Sequence, residues 1–565
     1  MQYGGIEKDI SSLVDRSVKK VFADRSLVSA ADGSNPPKIE LEIPKDRSHG
    51  DISTNIAMKL CSSFKSSPIE LANLIKAEIE TQLAREANLR RYLSRVDVKA
   101  PGFINFFFSL EYLSETLSKI MRMKDGYGRS EAGGSLKLQI EFVSANPTGP
   151  LTIAHGRQAA IGDSLANILK FAGYDVTREY YLNDEGTQMD ILGRSIMARY
   201  RGLSGLEENF PENGYKGAYV YDIAKDLKKK YGKKFLGSGE DIGPFREFGL
   251  KWLLKDIKED LSAFGVKFDI WYSQKKLRLS GKVRKAIDLL NERGYIFEKE
   301  GATWFRSTDF GDDKDRVVTK SDHSHTYLAP DIAYHMEKYR RGFKRIVDIW
   351  GPDHHGYIPR MKAAIQALGF DKNSIDVLIV QLATLHKNGA VLSMSTRAGE
   401  FVTLREVREE VGKDVSRFCF IMRRVSSHLD FDLDAVKKES MDNPVYYIQY
   451  AHARIWSILK RGRRLMWFGK FNPKLLKEPE ELGLLRGLNE FVKVIEQSAK
   501  ALEPYIVLQY LQDLAGLFHS FYNKHKVLMD DAKELTKSRL VLVDCTRIVL
   551  ANGLRLLGVS LPKSM

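Results

Sequence analysis

Hydrophobic positions follow three different patterns along the chain, and the first pattern is a mixture. Apolar residues recur at helical spacing in residues 6–22 and 67–85, whereas residues 38–43 and 102–109 are strand-like. This mixture predicts a small α+β unit over roughly the first 120 residues. The charged stretch 118–135 then predicts a linker into the next unit.

The middle of the chain alternates strand and helix patterns from about residue 136 to residue 385, which is typical of a doubly wound parallel sheet. Its strand patterns are residues 136–143, 174–182, 345–350 and 376–385. The polar stretch 203–243 predicts an insertion or a mobile excursion. From about residue 441 every pattern is helical, which predicts a C-terminal bundle.

Size and charge narrow the class of protein only slightly. With 565 residues the chain is too long for a single core. Its net charge of +15 fits either an ordinary soluble basic protein or one with a polyanionic partner such as nucleic acid. The three isolated cysteines argue against a disulfide framework or a Cys-rich zinc site and favour the reducing cytosol. We expect no signal peptide or membrane span, because no apolar run is long enough.

The stretch "SANPTGPLTIAHGRQAA" (residues 144–160) joins the strand pattern 136–143 to a helical pattern. The unpaired amides and the dipole of a helix N-terminus favour an anion. Pro147 and Pro150 stiffen this loop, Gly149 permits close backbone approach, and His155 at the helix start suits a phosphate oxygen. The alternative is a structural turn with a capping histidine. No Gly-rich loop with a following Lys-Ser/Thr is present, which disfavours a P-loop.

A second polar loop lies in residues 386–404 and carries Ser393, Ser395, Thr396, Arg397 and Gly399. A mobile loop with one cation is able to close over a triphosphate and stabilise charge on departing pyrophosphate. Polar loops are common, so this stretch alone indicates little.

Together these stretches resemble the class I aminoacyl-tRNA synthetases, and among them the bacterial arginyl-tRNA synthetases. "ANPTGPLTIAH" (145–155) is similar to the His-Ile-Gly-His region and "SMSTRAG" (393–399) to the Lys-Met-Ser-Lys-Ser region of that class. The resemblance covers almost the whole chain. "HGDISTNIAMKL" and "APGFINFFFS" resemble the N-terminal additional domain, "TYLAPDIAYH" and "WGPDHHGYIPRMKAA" the catalytic core, and "YYIQYAHARI" and "LRLLGVSLPKSM" the anticodon-binding domain.

The resemblance implies an α/β fold in four parts. These are an N-terminal α+β additional domain that contacts the tRNA elbow (1–122), a Rossmann-like doubly wound catalytic domain with an insertion at about 200–260 (123–385), a signature-loop and stem-contact region (386–440), and an all-helical anticodon-binding bundle (441–565). The implied activity joins L-arginine to tRNA(Arg) through an arginyl-adenylate, with transfer to the 2′-hydroxyl of the terminal adenosine. ATP with its Mg²⁺ would be the cosubstrate, and the protein would act as a cytoplasmic monomer away from membranes.

The resemblance also assigns site residues. The catalytic ones are His155, Thr152 and Arg397. Those expected to contact ATP are Ala145, Pro147, Thr148, Gly149, Ala154, His155, Gly351, Asp353, His354, His355, Met394, Ser395 and Thr396. Those expected to contact arginine are Glu141, Ser144, Asn146, Tyr327 and Asp331. Those expected to contact tRNA are Asn55, Phe107, Tyr446, Tyr450, Arg454, Arg461, Arg463, Arg464 and Met565.

Both signature regions depart from the class pattern. Thr152 and Ala154 stand where the first region has its first histidine and its glycine, so His155 is the only histidine left. The lysine positions of the second region are Ser393 and Thr396, which leaves Arg397 as its cation. Compensating charge near the phosphates is therefore expected, from Mg²⁺ or from Lys320 or Arg316.

Several residues keep two interpretations. Asp331 is either the bidentate partner of a guanidinium or a helix N-cap after Pro330. Asp353 with the two histidines beside it lines the nucleotide pocket, with either histidine near the ribose; a protein-bound metal is disfavoured, because no further ligands have suitable spacing. The tyrosines and arginines of residues 446–464 either contact tRNA or form bundle core with a solvated basic face.

Three other functions fit parts of the sequence. A class I synthetase for another amino acid is disfavoured because cysteinyl and methionyl types tend to carry cysteine-rich metal sites. A small nucleotidylyltransferase would not need the long helical C-terminal region. A non-catalytic tRNA-binding paralogue stays open because both signature regions are degenerate.

Overall fold

The N-terminal unit packs four helices around a three-stranded antiparallel sheet. The computed structural model describes residues 5–24, 37–44, 46–237, 239–387, 390–391, 401–437, 443–466 and 471–565, and in parts of 387–391, 431–435 and 463–466 only the backbone. The sheet order is β1-β3-β2, and a fifth helix leads out of the unit. The elements are α1 (Gly5–Asp24), β1 (Ile52–Thr54), α2 (Ile56–Phe64), α3 (Pro68–Leu83), α4 (Ala87–Tyr92), β2 (Leu93–Lys99), β3 (Phe103–Phe108) and α5 (Leu110–Met123).

The predicted helices and the strand at 102–109 are confirmed, but two details of this unit are wrong. Residues 38–43 form no strand; only Glu42 pairs, in an isolated bridge to Ser53. The segment lies at the edge of the sheet with both of its faces at least partly exposed. Its alternating apolar side chains therefore have no buried core to pack against. The predicted linker also begins too early, because residues 118–123 belong to α5.

A five-stranded parallel sheet forms the centre of the molecule, as predicted. Its strand order is β11-β10-β4-β5-β6, with helices on both faces. Two small three-stranded sheets, β7-β8-β9 and β13-β12-β14, accompany it. The elements are β4 (Lys137–Glu141), α6 (Ile153–Phe171), β5 (Asp175–Leu182), α7 (Thr187–Leu203), α8 (Ala218–Tyr231), α9 (Gly243–Ala263), β6 (Ile270–Ser273), α10 (Gln274–Leu279), α11 (Lys282–Glu292), β7 (Ile296–Lys299), β8 (Ala302–Phe305), β9 (Arg316–Thr319), α12 (Leu328–Arg340), β10 (Arg345–Trp350), α13 (Ile358–Ala367), β11 (Ile375–Ile379), β12 (Ala383–Lys387), β13 (Ala390–Val391), α14 (Leu404–Val411), α15 (Lys413–Ile421), β14 (Leu429–Asp432) and α16 (Leu433–Val436).

The apolar run 376–385 is two strands rather than one. β11 ends at Ile379 and β12 begins at Ala383 in a different sheet. Hydrophobicity continues through the bend between them, so the periodicity alone could not locate the turn.

The polar stretch 203–243 contains a packed helix, not a mobile excursion. One face of α8 is fully buried through Val220, Ile223, Ala224 and Leu227, which join a hydrophobic cluster with α7 and α9. We call these three helices, residues 187–263, the helical insertion. Its exposed lysines account for the polar composition that suggested an excursion.

The C-terminal part is a helical bundle, as predicted. It consists of α17 (Pro444–Met466), α18 (Pro479–Ala501), α19 (Tyr505–Lys524) and α20 (Lys533–Leu556). Ion pairs join α18 to the N-terminal unit: Arg486 with Asp51 at 2.7 Å, Lys493 with Glu7 at 2.9 Å, and Arg47 with Glu490. None of the described helices is both long and apolar enough to cross a membrane.

The bundle also meets the central sheet domain through a buried arginine. The side chain of Arg417 on α15 is fully buried. Its guanidinium donates to the Leu557 carbonyl at 3.0 Å, to the Phe264 carbonyl at 3.2 Å and to the Asp163 carboxylate at 2.7 Å. One side chain thus joins the end of the bundle, the residue directly after the helical insertion, and α6.

Three carboxylates lie side by side beneath the carboxyl edge of the parallel sheet. Asp348 of β10 is in register with Glu141 of β4, which is in register with Glu179 of β5. All three side chains are buried. Such a row is stable only if each charge has a partner.

Helix α12 supplies those partners. The Lys338 amine, itself fully buried, donates to Glu141 and to Asp348 at 2.7 Å each. Arg341, just beyond the end of α12, pairs with Glu179, which also accepts from the Tyr334 hydroxyl at 2.6 Å. Burial alone would favour the neutral amine, but the two carboxylates raise the pKa of Lys338 above its ordinary value.

His335 also contacts this row. Its Nε2 lies 2.8 Å from the Asp348 carboxylate and its Nδ1 lies 2.8 Å from the Asp331 carbonyl oxygen. Burial alone would raise the pKa of Asp348, but Lys338 and His335 hold that pKa to about 2. Each of the three carboxylates therefore has at least one basic side chain as a hydrogen-bond partner.

Replacing Lys338 by methionine tests the importance of this pairing. The Lys338→Met change leaves two buried carboxylates without their shared cation, and we expect the free energy of unfolding to fall by about 3–5 kcal/mol in urea denaturation. Adding Asp348→Asn should recover part of the loss, because one stranded charge disappears. Arg340→Met, an exposed change on the same helix, should have little effect. Equal stabilities for Lys338→Met and Arg340→Met would contradict this account.

Candidate active site

The loop between β4 and α6 starts with a strained turn. Val143 and Ser144 have positive φ angles of 68° and 37°, which residues with side chains rarely adopt. The Ser144 hydroxyl donates to Glu141 at 2.9 Å and accepts from the Tyr181 amide at 3.0 Å. The Tyr180 hydroxyl donates to the Ala145 carbonyl at 2.8 Å. Neighbouring strands thus hold the turn in one conformation.

His155 occupies the first turn of α6 and has one defined tautomer. The Thr152 amide donates to Nδ1 of His155 at 3.1 Å, so Nδ1 is an acceptor and the proton resides on Nε2. Desolvation lowers the pKa of His155 to about 4, which keeps the ring neutral near pH 7. No acceptor among the described residues lies within hydrogen-bond distance of Nε2. The capping interpretation is therefore correct for Nδ1, while Nε2–H stays available as a donor.

The second signature region itself lies outside the described residues, and with it Met394, Ser395, Thr396 and Arg397. Its C-terminal flank is nevertheless held beside the first loop. Thr403 forms a bridge with Thr152, and the Leu404 amide donates to the Leu151 carbonyl at 2.8 Å. The chain thus returns to the start of α6 directly after that region.

A buried arginine fixes the N-terminal flank of the same region. Arg157 on α6 donates to the carbonyls of Gln381 and Ser427 at 2.7 and 2.8 Å, and also to those of Leu382 and Arg424. Burial lowers the pKa of this side chain to about 10, so it remains charged. The segments before β12 and before β14 are therefore both anchored on the helix that carries His155.

Of the two side chains proposed to compensate for the missing lysines, Arg316 is already neutralised. Its guanidinium makes two bonds to Asp312, at 2.8 and 2.9 Å, and also pairs with Asp313. A cation held by two carboxylates carries no spare charge for a triphosphate, so the prediction for Arg316 fails on this geometry. Lys320 follows β9 and is exposed.

Asp331 lies in the first turn of α12 and faces a cluster of tyrosines. Tyr357 donates its hydroxyl proton to Asp331 at 2.7 Å, and the charge of Asp331 also acts on the Tyr181 hydroxyl. Burial raises the pKa of Asp331 to about 6. The N-cap interpretation is wrong, because Tyr327 is the N-cap residue and Asp331 lies inside the helix.

The remaining residues assigned to arginine differ in exposure. Tyr327 is 76% exposed at the start of α12. Glu141 is buried and already accepts from Lys338 and Ser144. Asn146 is exposed on the loop, where its amide nitrogen donates to Gln188 at 2.8 Å and its amide oxygen accepts from Asn183 at 3.2 Å. Asp331 and Ser144 are partly exposed, and Asp331, Ser144 and Asn146 are each oriented by side-chain hydrogen bonds.

Sequence reasoning missed several side chains that shape the site. Tyr357 and Tyr181 surround Asp331, and the Tyr181 hydroxyl is a buried polar atom with no hydrogen-bond partner in the described part of the chain. Gln188 and Asn183 orient Asn146. The one available signal was position: Tyr181 lies near the end of β5, and Asn183 and Gln188 follow that strand, at the same carboxyl edge as the loop.

The described residues assigned to ATP lie in the segments that follow two adjacent strands, β4 and β10. Pro147 is buried, while Thr148, Gly149 and Ala154 are partly exposed along the loop. Gly351 follows β10, next to β4, and opens a short exposed 3₁₀ turn with Asp353, His354 and His355. Within the described ranges no group of three or more His, Cys, Asp or Glu side chains is arranged to hold a metal.

The residues assigned to tRNA fall into one coherent surface and some scattered positions. Tyr446, Tyr450 and Arg454 follow one face of α17; the two rings stack 6.1 Å apart, and Arg454 lies over Tyr522 of α19. Arg461 continues on the exposed side of this helix. The backbones of Arg463 and Arg464 belong to α17, and their side chains lie outside the described ones.

The other tRNA assignments are less uniform. Met565 is 50% exposed at the chain end, and Asn55 is a partly buried N-cap residue of α2. Phe107 does not present its ring: it is buried, and the Arg95 guanidinium lies 3.9 Å above it. Arg95 is the exposed group at this position of the sheet, so the direct contact expected of Phe107 has no geometric support.

Three family profiles match the chain in the order of its structural parts. Residues 8–108 match the arginyl tRNA synthetase N-terminal domain, 116–419 the catalytic domain of class I tRNA synthetases (R), and 448–565 the DALR anticodon binding domain. An arginine–tRNA ligase of Citrifermentans bemidjiense is 45% identical over 565 residues, covering 99% of this chain and 100% of the relative. One of Geobacillus kaustophilus is 48% identical over 94% and 95% of the two chains.

The chain belongs to the arginyl-tRNA synthetase family. The arginyl-tRNA synthetase of Thermus thermophilus has the same fold, with a TM-score of 0.75 over 99% of this chain and 100% of that one, at 20% identity. The resemblance inferred from sequence motifs is therefore confirmed, as is the fold class. The roles of individual site residues remain predictions.

The protonation of His155 is directly measurable. With histidine labelled at its ring nitrogens, the His155 resonances should keep the pattern of a neutral Nε2–H tautomer from pH 8 down to pH 5 and titrate only near pH 4, because burial disfavours the imidazolium. His155→Asn assigns the resonance, and a titration midpoint near 6.5 would contradict the inferred donor state.

Proposed function

We propose that this arginyl-tRNA synthetase family member joins L-arginine to tRNA(Arg) in two steps, by way of an arginyl-adenylate. The observation that carries the proposal is the continuity of residues 141–155. That segment begins at Glu141, whose charge acts on Asp331, and ends at a neutral Nε2–H donor in the first turn of α6. An amino acid and a nucleotide phosphate bound at its two ends would meet in between.

In the first step the arginine carboxylate attacks the α-phosphate of Mg-ATP in line and pyrophosphate leaves. No protein nucleophile is needed, so the chain contributes positioning and charge stabilisation. His155 donates Nε2–H to a phosphate oxygen, Thr152 orients that ring through its amide and its hydroxyl, both 3.1 Å from His155 Nδ1, and the amides at the start of α6 favour the same anion. Arg397 supplies the cation of the second signature region, whose flank Thr403 is bridged to Thr152. Mg²⁺ arrives with ATP.

Arginine is selected by a carboxylate that a guanidinium fits. A guanidinium has five donors in one plane and remains charged, so Asp331 pairs with it bidentately. Tyr357 fixes one Asp331 oxygen, and Asn146 contacts the α-amino end. Lysine presents a single ammonium and cannot form the same fork, which disfavours it.

In the second step the 2′-hydroxyl of the terminal adenosine attacks the mixed anhydride, and AMP leaves. The face of Tyr446, Tyr450 and Arg454 with Arg461 is the surface that fits the anticodon, because stacked rings and cations suit unpaired bases and phosphates. We further propose that the enzyme is a monomer of the cytoplasm. Its described cysteines, Cys61, Cys419 and Cys545, are unpaired, as a reducing compartment requires.

ATP–pyrophosphate exchange separates the alternatives. We expect exchange with arginine in the presence of tRNA(Arg), and its loss by at least about 1,000-fold in His155→Ala, because the Nε2–H donor proposed to contact the phosphate is removed. His525→Ala, in the distant bundle, is the control. Exchange with another amino acid instead, or tRNA binding without charging under any condition, would favour the other synthetase or the binding paralogue. A mild effect of His155→Ala would instead favour the interpretation of this loop as a structural turn with a capping histidine.

Asp331→Asn tests amino-acid recognition. We expect the KM for arginine to rise about 10- to 100-fold, because a charged hydrogen-bond pair is lost, while the KM for ATP stays within about 2-fold. The matched control is Asp309→Asn, an exposed aspartate in the same domain. Equal effects on the two substrates would defeat the assignment.

The same residue predicts a pH dependence. The pKa of Asp331 is raised to about 6, so the carboxylate is ionised at pH 7 and becomes protonated below pH 6. kcat/KM for arginine should therefore fall about 10-fold per pH unit below pH 6, and this inflection should be absent in Asp331→Asn. An inflection that persists in the variant belongs to another group.

A further inference from the structure

Tyr219 of the helical insertion holds the loop that leads to His155. It is the second residue of α8, and its hydroxyl donates to the Thr148 carbonyl oxygen at 2.7 Å. The side chain is only partly exposed, and burial raises the pKa of this phenol, so it stays a neutral donor at any working pH. The contact joins residues 71 positions apart in the chain.

The loop is tightly fitted against this tyrosine. A Cβ atom placed on Gly149 would lie 3.2 Å from the Tyr219 hydroxyl oxygen and 3.4 Å from the ring carbon that carries it. The preceding peptide is closed by a bond from the Thr148 amide to the Asn146 carbonyl at 2.8 Å. Because residue 149 has no side chain, the Tyr219 hydroxyl fits against the loop. Its hydrogen bond to the Thr148 carbonyl then restricts the loop to one conformation.

The helical insertion contacts the loop at a second point. Gln188 of α7 accepts from the Asn146 side chain at 2.8 Å. Helices α7 and α8 pack on each other through a shared core that includes Leu192 and Ile223. The two contacts, on Asn146 and on Thr148, therefore come from one rigid unit.

We propose that Tyr219 is a positioning residue for ATP: through the Thr148 carbonyl it fixes the backbone of Thr148 and Gly149, which the proposed function places against the nucleotide. Tyr219 touches neither reacting atom. This inference rests on the proposed function, and it adds that the helical insertion sets the affinity for nucleotide.

Tyr219→Phe removes only the hydroxyl. We expect the KM for ATP in pyrophosphate exchange, and the Kd for ATP measured by calorimetry without arginine, to rise about 3- to 10-fold, the effect of one hydrogen bond. The KM for arginine should change by less than about 2-fold. Tyr221→Phe is the matched control, because Tyr221 lies on the same helix and is 46% exposed. A purely structural role would lower stability and leave the ATP constants unchanged.

A double-mutant cycle with Gly149→Ala sharpens the test. The added methyl group crowds the Tyr219 oxygen, so Gly149→Ala should weaken ATP binding more in the wild type than in Tyr219→Phe, where that oxygen is gone. Additive effects, or an unchanged ATP Kd in Tyr219→Phe, would overturn the inference. The proposed function fails separately, by absence of arginine-dependent exchange in the wild type, and the calorimetric arm still decides the role of Tyr219.

Discussion

The arrangement of the active site depends on burying three carboxylates side by side in the parallel sheet. Adjacent strands in register bring Asp348, Glu141 and Glu179 into one row, where their mutual repulsion would be prohibitive without matched cations. Helix α12 supplies the basic partners of these carboxylates: Lys338 and His335 belong to the helix, and Arg341 lies directly after it. Its position on the sheet is therefore fixed electrostatically as well as by packing.

That fixed position determines which carboxylate remains for a ligand. Each carboxylate of the row already has a basic hydrogen-bond partner, Lys338, His335 or Arg341, so none of the three is left for a ligand. Asp331, one turn before His335 on the same helix, bonds through its side chain to the neutral hydroxyl of Tyr357. Burial raises the pKa of Asp331, and the nearby charges of His335 and Lys338 only partly oppose the rise. A cationic side chain placed beside this carboxylate would be stabilised by its charge.

Much of this could be predicted from the sequence, and the successes share a cause. The sheet and the bundle are encoded locally, in strand patterns and helical spacing, and the family is recognisable from short motifs; the roles of His155 and Asp331 remain predictions. The failures also share a cause. Whether Phe107 reaches solvent depends on Arg95 of the neighbouring strand, and whether Arg316 carries free charge depends on how the chain turns at Asp312. Tyr219 and Gln188 reach the loop from 71 and 42 positions away, a distance over which no periodicity extends.

The buried guanidinium of Arg157 has a consequence for which substitutions the chain tolerates. It binds four main-chain carbonyls, from Gln381, Leu382, Arg424 and Ser427, rather than side chains. Such a contact depends on the conformation of the backbone and not on which side chains the contacted residues carry. Those segments are free to diverge in sequence while the arginine itself is not, since lysine lacks the planar fork that reaches both.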